Sequence, residues 1–380
     1  MKEAEYLKAL NACVRCGSCK ASCPTYDECL NEGMAARGRL RLLWELHTGN
    51  LKPTPLLMDR LFSCALCGIC EKGCPTGVDI TGAIYHARAL LSSSDRKRFL
   101  LRKTAEFALK RTALSFKWAR LFEHVIMPYL IKSGIIPFKL KLPENPLRGR
   151  LQVFKTGKSK KGRVAVFAGC SVNYIYPSYG KSFINLLLDA GYEVVLPQGE
   201  ACCGAPLRAL GLEEEAAGLF RKNIETFGRL NVDSVVSLCP TCTLEIKERY
   251  KGLSGECIEA EDIIKFIAGK INSGKAPIGA VTYHDPCHLR YGLGLREEPR
   301  EIIKALGYEL IEPEEAGCCG FGISMTHKDL SSALLNERAL HLRATGADTV
   351  VTACPACVLQ LGRTDMNIRH ISELLKDIPD

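Results

Sequence analysis

The chain has 380 residues, 47 % hydrophobic and 24 % charged, a composition that suits two or three globular domains and excludes wholesale disorder. Its twenty cysteines exceed common usage, yet they are too sparse for a small disulfide scaffold, and its net charge is +9. The opening residues MKEAEYLKAL lack the apolar stretch of a secretory signal, and no run of apolar residues is long enough to predict a membrane span. The expected setting is the reducing cytoplasm, peripheral to the inner face of the membrane at most, where clustered cysteines read as metal ligands.

In chain order, a helix is predicted over 3–12, leading into Cys13, Cys16, Cys19 and Cys23, closed by Pro24. A second helix over 37–47 stops at Gly49, and a short one over 59–62 leads into Cys64, Cys67, Cys70 and Cys74, closed by Pro75. A helix over 80–91 follows. Both cysteine runs read C-x2-C-x2-C-x3-C-P. Three cysteines at x2 intervals let one loop wrap three corners of a [4Fe–4S] cubane, while the cysteine before proline points away to the other cluster. This assigns Cys13, Cys16, Cys19 and Cys74 to one cubane, and Cys64, Cys67, Cys70 and Cys23 to the second. Zinc knuckles also use C-x2-C, but they need neither the third step nor the terminal Cys-Pro.

Residues 96–163 hold 19 lysines and arginines against three acids, so the basicity is local and the rest of the chain is net acidic. The first part is helix-like, with Phe107, Leu109, Leu114, Phe116, Trp118 and Leu121 among Lys110, Arg111, Lys117 and Arg120. The second, over 137–162, reads as a Pro- and Lys-rich linker. The segment suits an anionic lipid surface, an acidic partner subunit, or a solvated linker. No fold signal supports nucleic-acid binding.

From Arg163 the pattern changes to strands alternating with helices. Strands over 164–168, 193–196 and 234–238 alternate with helices over 181–189, 213–229 and 243–249. Strands over 280–283, 308–311 and 349–352 alternate with helices over 299–306 and 328–344 in the same order. Parallel α/β layers are expected, with ligands beyond the carboxyl ends of the strands. The cysteines sit there in both copies: Cys170, Cys202, Cys203, Cys239 and Cys242, then Cys287, Cys318, Cys319, Cys354 and Cys357. The spacings, C-x31-CC-x35-C-x2-C and C-x30-CC-x34-C-x2-C, mark an internal duplication. Five thiolates exceed what one cubane or one Zn2+ takes, so spacing alone leaves each site as a five-thiolate metal centre of open nature.

This cysteine pattern resembles the cysteine-rich CCG domain of heterodisulfide reductase and its relatives. Two helical-ferredoxin motifs followed by two CCG domains resemble the iron–sulfur subunits of glycolate oxidase and of related lactate and glycerol-3-phosphate dehydrogenases, and the fused catalytic chain of heterodisulfide reductase. The likeness runs through CVRCGSCKASCPTY, ARGRLRLLWEL, CALCGICEKGCPTGV, HDPCHL and GCCGFG. It implies a multidomain α plus α/β fold: an all-helical ferredoxin domain over 1–94, a basic segment and linker over 95–162, and Rossmann-like CCG domains over 163–272 and 273–380. It further implies two cubanes, a noncubane [4Fe–4S] cluster on each set of five cysteines, and zinc in one copy in some members. With no nucleotide fingerprint in the chain, electrons are expected from an FAD-linked oxidase or dehydrogenase subunit oxidising glycolate or lactate, and pass to a quinone-linked or membrane-anchor partner. The alternative is a catalytic subunit that cleaves a heterodisulfide at a noncubane cluster, with Cys203 and Cys319 central.

Other residues carry two readings each. His284 and His288, beside Cys287, either tune a cluster and relay protons or are structural, with Asp285 capping the next helix. His327 is a weaker case of the same kind. Gly204 and Gly320 either admit backbone to the metal site or serve plain turns. Arg37, Gly38 and Arg39 dock an acidic group or begin a solvated helix. Cys29 and Cys257 are expected to be inert small hydrophobes.

Overall fold

In the computed structural model the described residues are 3–132, 138, 142–149, 151–254, 260–271 and 279–375. The N-terminal part is helical. Glu3–Asn11, Ala36–His47, Pro55–Phe62 and Ile80–Leu91 pack through Leu10, Leu40, Leu43, Leu61 and Ile84 into one core. The helix over Pro55–Phe62 starts earlier than its apolar pattern suggests, because Thr54 caps it, accepting from the Leu57 amide at 3.1 Å, and Pro55 suits its first turn.

The two cysteine runs are loops of the same shape. In each, the residue two after the first cysteine, Arg15 or Leu66, and the glycine after the second, Gly17 or Gly68, are left-handed. Two left-handed residues in three turn the chain sharply enough to set successive thiols around one point. Cys23 closes its run as the residue before a helix led by Pro24.

Helices Phe99–Lys110 and Thr112–Leu121 form the basic segment. The second part, read as a linker, is not wholly one. Strand β1, Gln152–Phe154, pairs antiparallel with a strand of the first sheet, and Leu147 is buried in the α/β core. Its alternation of Gln, Val and Phe is too brief to stand out against the surrounding lysines and glycines.

The first α/β unit adds β2 (Gly162–Phe167), β3 (Tyr192–Leu196), β4 (Ser234–Ser237) and β5 (Ala260–Asp262), in the order β1-β3-β2-β4-β5. The second holds β6 (Gly279–Tyr283), β7 (Tyr308–Ile311), β8 (Thr349–Thr352) and β9 (Asn367–His370), in the order β7-β6-β8-β9. All pairs except β1–β3 are parallel, so each cysteine-bearing loop leaves a strand at its carboxyl end. The fourth strands, β5 and β9, escaped the sequence reading because each is short and polar. One apolar cluster joins the two units, from Val166, Phe183 and Val236 to Tyr283, Ile302 and Val351. Among the described residues no helix is long and apolar enough to cross a membrane.

Candidate metal centres

The ferredoxin loops and the helix N-termini after them bring cysteines of both runs together. Cys13, Cys16, Cys19 and Cys74 line one small cavity. Cys23, Cys64, Cys67 and Cys70 line a second. Each run therefore lends its last cysteine to the other cavity. Small hydroxyls attend the thiols: Ser18 lies 3.4 Å from Cys16 Sγ, Thr25 3.4 Å from Cys23 Sγ, and Thr76 3.5 Å from Cys74 Sγ. The Ser18 hydroxyl draws the Cys16 thiol below its ordinary pKa, whereas burial pushes Cys70 up.

In the first α/β unit, Cys170 hydrogen-bonds Cys202, Cys203 bonds both Cys202 and Cys242, and Cys239 bonds Cys242. In the second, Cys287 bonds Cys318, Cys319 Sγ lies 3.7 Å from Cys357 Sγ, and Cys354 bonds Cys357. All five thiols of each pattern thus meet. The sets also lie in electrostatic reach of their neighbours: Cys67 of Cys318, and Cys354 of Cys239. Most of these buried thiols, among them Cys170, Cys242, Cys318 and Cys357, are held well above the ordinary thiol pKa by hydrogen bonds to neighbouring thiols and by burial. A thiol set of this kind resists ionisation unless a cation replaces the protons. That donor chemistry fits an iron–sulfur cluster or a thiophilic ion at every one of the four sites.

The copies share their thiols but not their surroundings. Ligand atoms of His284, Cys319 and Cys357 lie within 4.8 Å of one another. His284 Nδ1 accepts from Arg338 Nε at 3.1 Å, which directs the ring's other nitrogen away from the guanidinium. Hydrogen bonds from Cys357 and His284 bring Cys319 well below the usual thiol range, and those from Cys202 and Cys242 bring Cys203 to about 7. Around the first site, Glu200 accepts from the Ala168 and Gly169 amides at 3.1 and 2.8 Å and pairs with Arg148 at 3.2 Å.

Several expectations change. Asp285 caps no helix: Arg300 grips it with two bonds at 3.0 and 2.9 Å, and Arg290 adds a third. His288 is no free proton relay, since Nδ1 meets Thr241 Oγ1 at 2.8 Å and Nε2 meets the Leu66 carbonyl at 3.2 Å, tying three parts of the chain. His327 lies 3.2 Å from Asp59, and burial lowers it to about 4. Gly204 and Gly320 are left-handed, but a Cβ there would strike Phe220 or the Ser331 carbonyl rather than a metal site. Arg39 is buried, donating to the Arg60 carbonyl, Thr25 and Ser63, and Arg37 pairs with Glu32 at 2.6 Å. Cys29 is exposed, not a core hydrophobe, and Cys257 lies outside the described residues.

Sequence reasoning missed Arg88. Buried in an apolar helix, it donates to the Leu61 and Cys64 carbonyls at 2.8 and 2.7 Å and to the Ala209 carbonyl at 2.8 Å, fixing the second cysteine loop to the first α/β unit. Its only signal is an arginine on an otherwise apolar helix face.

Comparison with known proteins finds two domain families in the chain. A family profile for a 4Fe-4S dicluster domain matches residues 9–78, and one for a cysteine-rich CCG domain matches residues 164–247 and 281–362. The chain is 27 % identical to one of the subunits of fumarate reductase (CoM/CoB) from Methanothermobacter marburgensis, over 97 % of this chain and 72 % of that protein. It is 29 % identical to the probable glycolate oxidase iron–sulfur subunit of Bacillus subtilis, over 95 % and 89 %. It is 30 % identical to lactate utilization protein A of the same organism, over 56 % of this chain and 98 % of that protein.

Proposed function

The chain belongs to the family of iron–sulfur oxidoreductase subunits that join a 4Fe-4S dicluster domain to cysteine-rich CCG domains, and from that premise we propose that it is the electron-carrying subunit of a flavin-dependent 2-hydroxy-acid dehydrogenase of the glycolate or lactate type. One observation supports this most: thiol sites follow one another without a gap. Cys19 lies in electrostatic reach of Cys23, Cys67 of Cys318, and Cys354 of Cys239. Iron–sulfur clusters at such sites supply successive one-electron steps.

The ligand sets in this reading are Cys13, Cys16, Cys19 and Cys74 for one cubane, and Cys23, Cys64, Cys67 and Cys70 for the other. The five cysteines of each CCG repeat hold a noncubane cluster, with zinc in one repeat as the lesser form. The order of contacts sets the second CCG site next to the cubanes and the first at the far end. Arg338 orients His284 toward Cys319, and this pair is the proposed point of proton exchange. Asp285, held by Arg300 and Arg290, stiffens the strand end beside it. Burial of Cys202, Cys203, Cys239 and Cys242 excludes water from the far site. The disulfide-reductase alternative rests on Cys203 and Cys319 alone.

Divisions at 94/95, 162/163 and 272/273 complete the proposal. The parallel order of the four strands shared by both sheets supports a Rossmann-like description of each CCG domain. The flavin-bearing subunit is the proposed electron donor. The exposed Phe99, Leu100, Phe107, Trp118 and Leu121, set among cations, support peripheral contact of the basic helices with the cytoplasmic membrane face. The test is anaerobic mixing with a flavin-bearing 2-hydroxy-acid dehydrogenase subunit and glycolate or lactate. Bleaching of the visible cluster absorbance that needs both substrate and flavoprotein is expected. No bleaching with any 2-hydroxy acid, while dithionite still bleaches it, contradicts the proposal.

A further inference from the structure

A cleft of about 960 Å3 opens between the basic helices and the first α/β unit. That volume is typical of a small-molecule site. Its floor belongs to the loops that carry the first five-thiol set. Glu200 and Ala201 precede Cys202, and Asn173 and Tyr174 end the helix Gly169–Tyr174 that carries Cys170. Its walls are apolar and flat, with the Phe116 ring stacked on Tyr174 at 4.6 Å and 7°.

The charges at its edge are mostly cationic, Lys110, Arg111, Lys117, Arg120 and Lys222 against the exposed acid Glu144, and the cations are unequally engaged. Lys110 pairs with Glu106 at 2.7 Å, and Arg120 donates to the Glu144 carbonyl. Lys117 and Lys222 are exposed and have no ion pair among the described residues. Deeper in, the Arg148 side chain is only 9 % exposed. It holds Glu200 through Nη1, but its buried Nε has no hydrogen-bond partner among the described residues. The Glu200 carboxylate is already engaged by two amides and that guanidinium, so it offers little repulsion to an incoming anion. An unpartnered buried donor at the bottom of a cation-rimmed, aromatic-walled cleft asks for an acceptor atom on a flat, negatively charged molecule.

We infer that this cleft binds a small anionic molecule with a planar apolar body, of the chemical class of a sulfonated or carboxylated quinone, as the electron acceptor at the first CCG site. The acceptor role rests on the electron-carrier reading; the binding site does not. In the balanced reaction the 2-hydroxy acid becomes the 2-oxo acid, releasing two electrons and two protons at the flavoprotein. The quinone takes up two electrons through this chain and two protons from water, and leaves as the hydroquinone.

The probe is 1,4-naphthoquinone-2-sulfonate, with neutral menadione as its uncharged counterpart. Equilibrium dialysis against the oxidised, cluster-loaded protein reads binding without turnover. Lys117→Glu with Lys222→Glu is expected to weaken sulfonate binding roughly tenfold or more and to leave menadione within about twofold. Lys155→Glu with Lys158→Glu, equal in charge change but outside the cleft, is expected to leave both unchanged. Cluster absorbance of each variant reports that the fold is intact. Sulfonate binding that is indifferent to the cleft lysines, or equally sensitive to the outside pair, overturns the site. Pre-reduced protein mixed with the probe is expected to reoxidise with the same charge dependence. Binding at the cleft without reoxidation overturns the acceptor role while the site stands.

Discussion

Arg208 and Glu245 allow an energetic test of a buried ion pair in the first CCG unit, beside its contact with the ferredoxin domain. The guanidinium lies 2.6 Å from the carboxylate, with side chains 4 % and 6 % exposed. Arg208 also lies 3.2 Å from the more open Glu213 and sits over the Tyr85 ring at 4.3 Å, across the domain boundary. Arg208→Met keeps most of the volume but strands Glu245, which has no other ion pair among the described residues. An uncompensated buried charge costs about 3–5 kcal/mol, and the lost cation–π contact about 1 kcal/mol more. With a urea dependence of roughly 3 kcal/mol per molar, the midpoint should fall by about 1 M or more. Adding Glu245→Met removes the stranded charge, and the double variant should regain most of the loss, because a buried ion pair and an apolar pair are close in net stability. The assay is urea unfolding of the anaerobic, cluster-loaded protein followed by far-UV circular dichroism for all four members of the cycle. A coupling below about 0.5 kcal/mol would refute the buried-pair reasoning.

The crossed ligand sets predict that Cys74→Ser disturbs the electron paramagnetic resonance signal of the cluster at Cys13, Cys16 and Cys19, and that Cys23→Ser disturbs the other; signals that follow the runs instead would contradict this. Cys29→Ser should leave iron content unchanged, as measured by metal analysis. His370 is fully buried and accepts from the Ser372 amide, and burial lowers its pKa to about 3. Its folded pKa lies below the unfolded value, so its contribution is complete above about pH 6.5 and is lost progressively as pH falls toward 3. About 1 kcal/mol should vanish between pH 7.5 and 5.5, and His370→Asn, which keeps a capping oxygen, should flatten that slope in urea titrations. Trp118→Asp with Leu121→Asp should abolish co-sedimentation with vesicles containing anionic lipid; retained sedimentation would discard the membrane-facing role of the basic helices.

Cysteine spacing made the sites legible because metal ligation allows few arrangements. The crossing of Cys23 and Cys74 followed from the proline after each, which turns the last thiol away from its own loop. Strands such as β8 were visible as apolar runs, whereas β5, with Glu261 and Asp262, and β9, with Asn367, Arg369 and His370, are short and mostly polar. The contacts between sites were not legible. That Cys67 meets Cys318 depends on how the helical domain seats against the second α/β unit, which His288 and Thr326 help to fix. The roles of single polar residues failed for a related reason. Asp285 has the sequence context of a helix cap, yet Arg300, from the following helix, is a stronger partner than a backbone amide.

If all eighteen patterned cysteines serve iron–sulfur electron transfer, anaerobically purified protein carries roughly four irons at each of four sites, read by metal analysis. Electron paramagnetic resonance of the dithionite-reduced form then gives two classes of signal, one from the cubanes and one from the CCG sites. Iron-free protein loaded with zinc, giving no signal on reduction, would contradict that role.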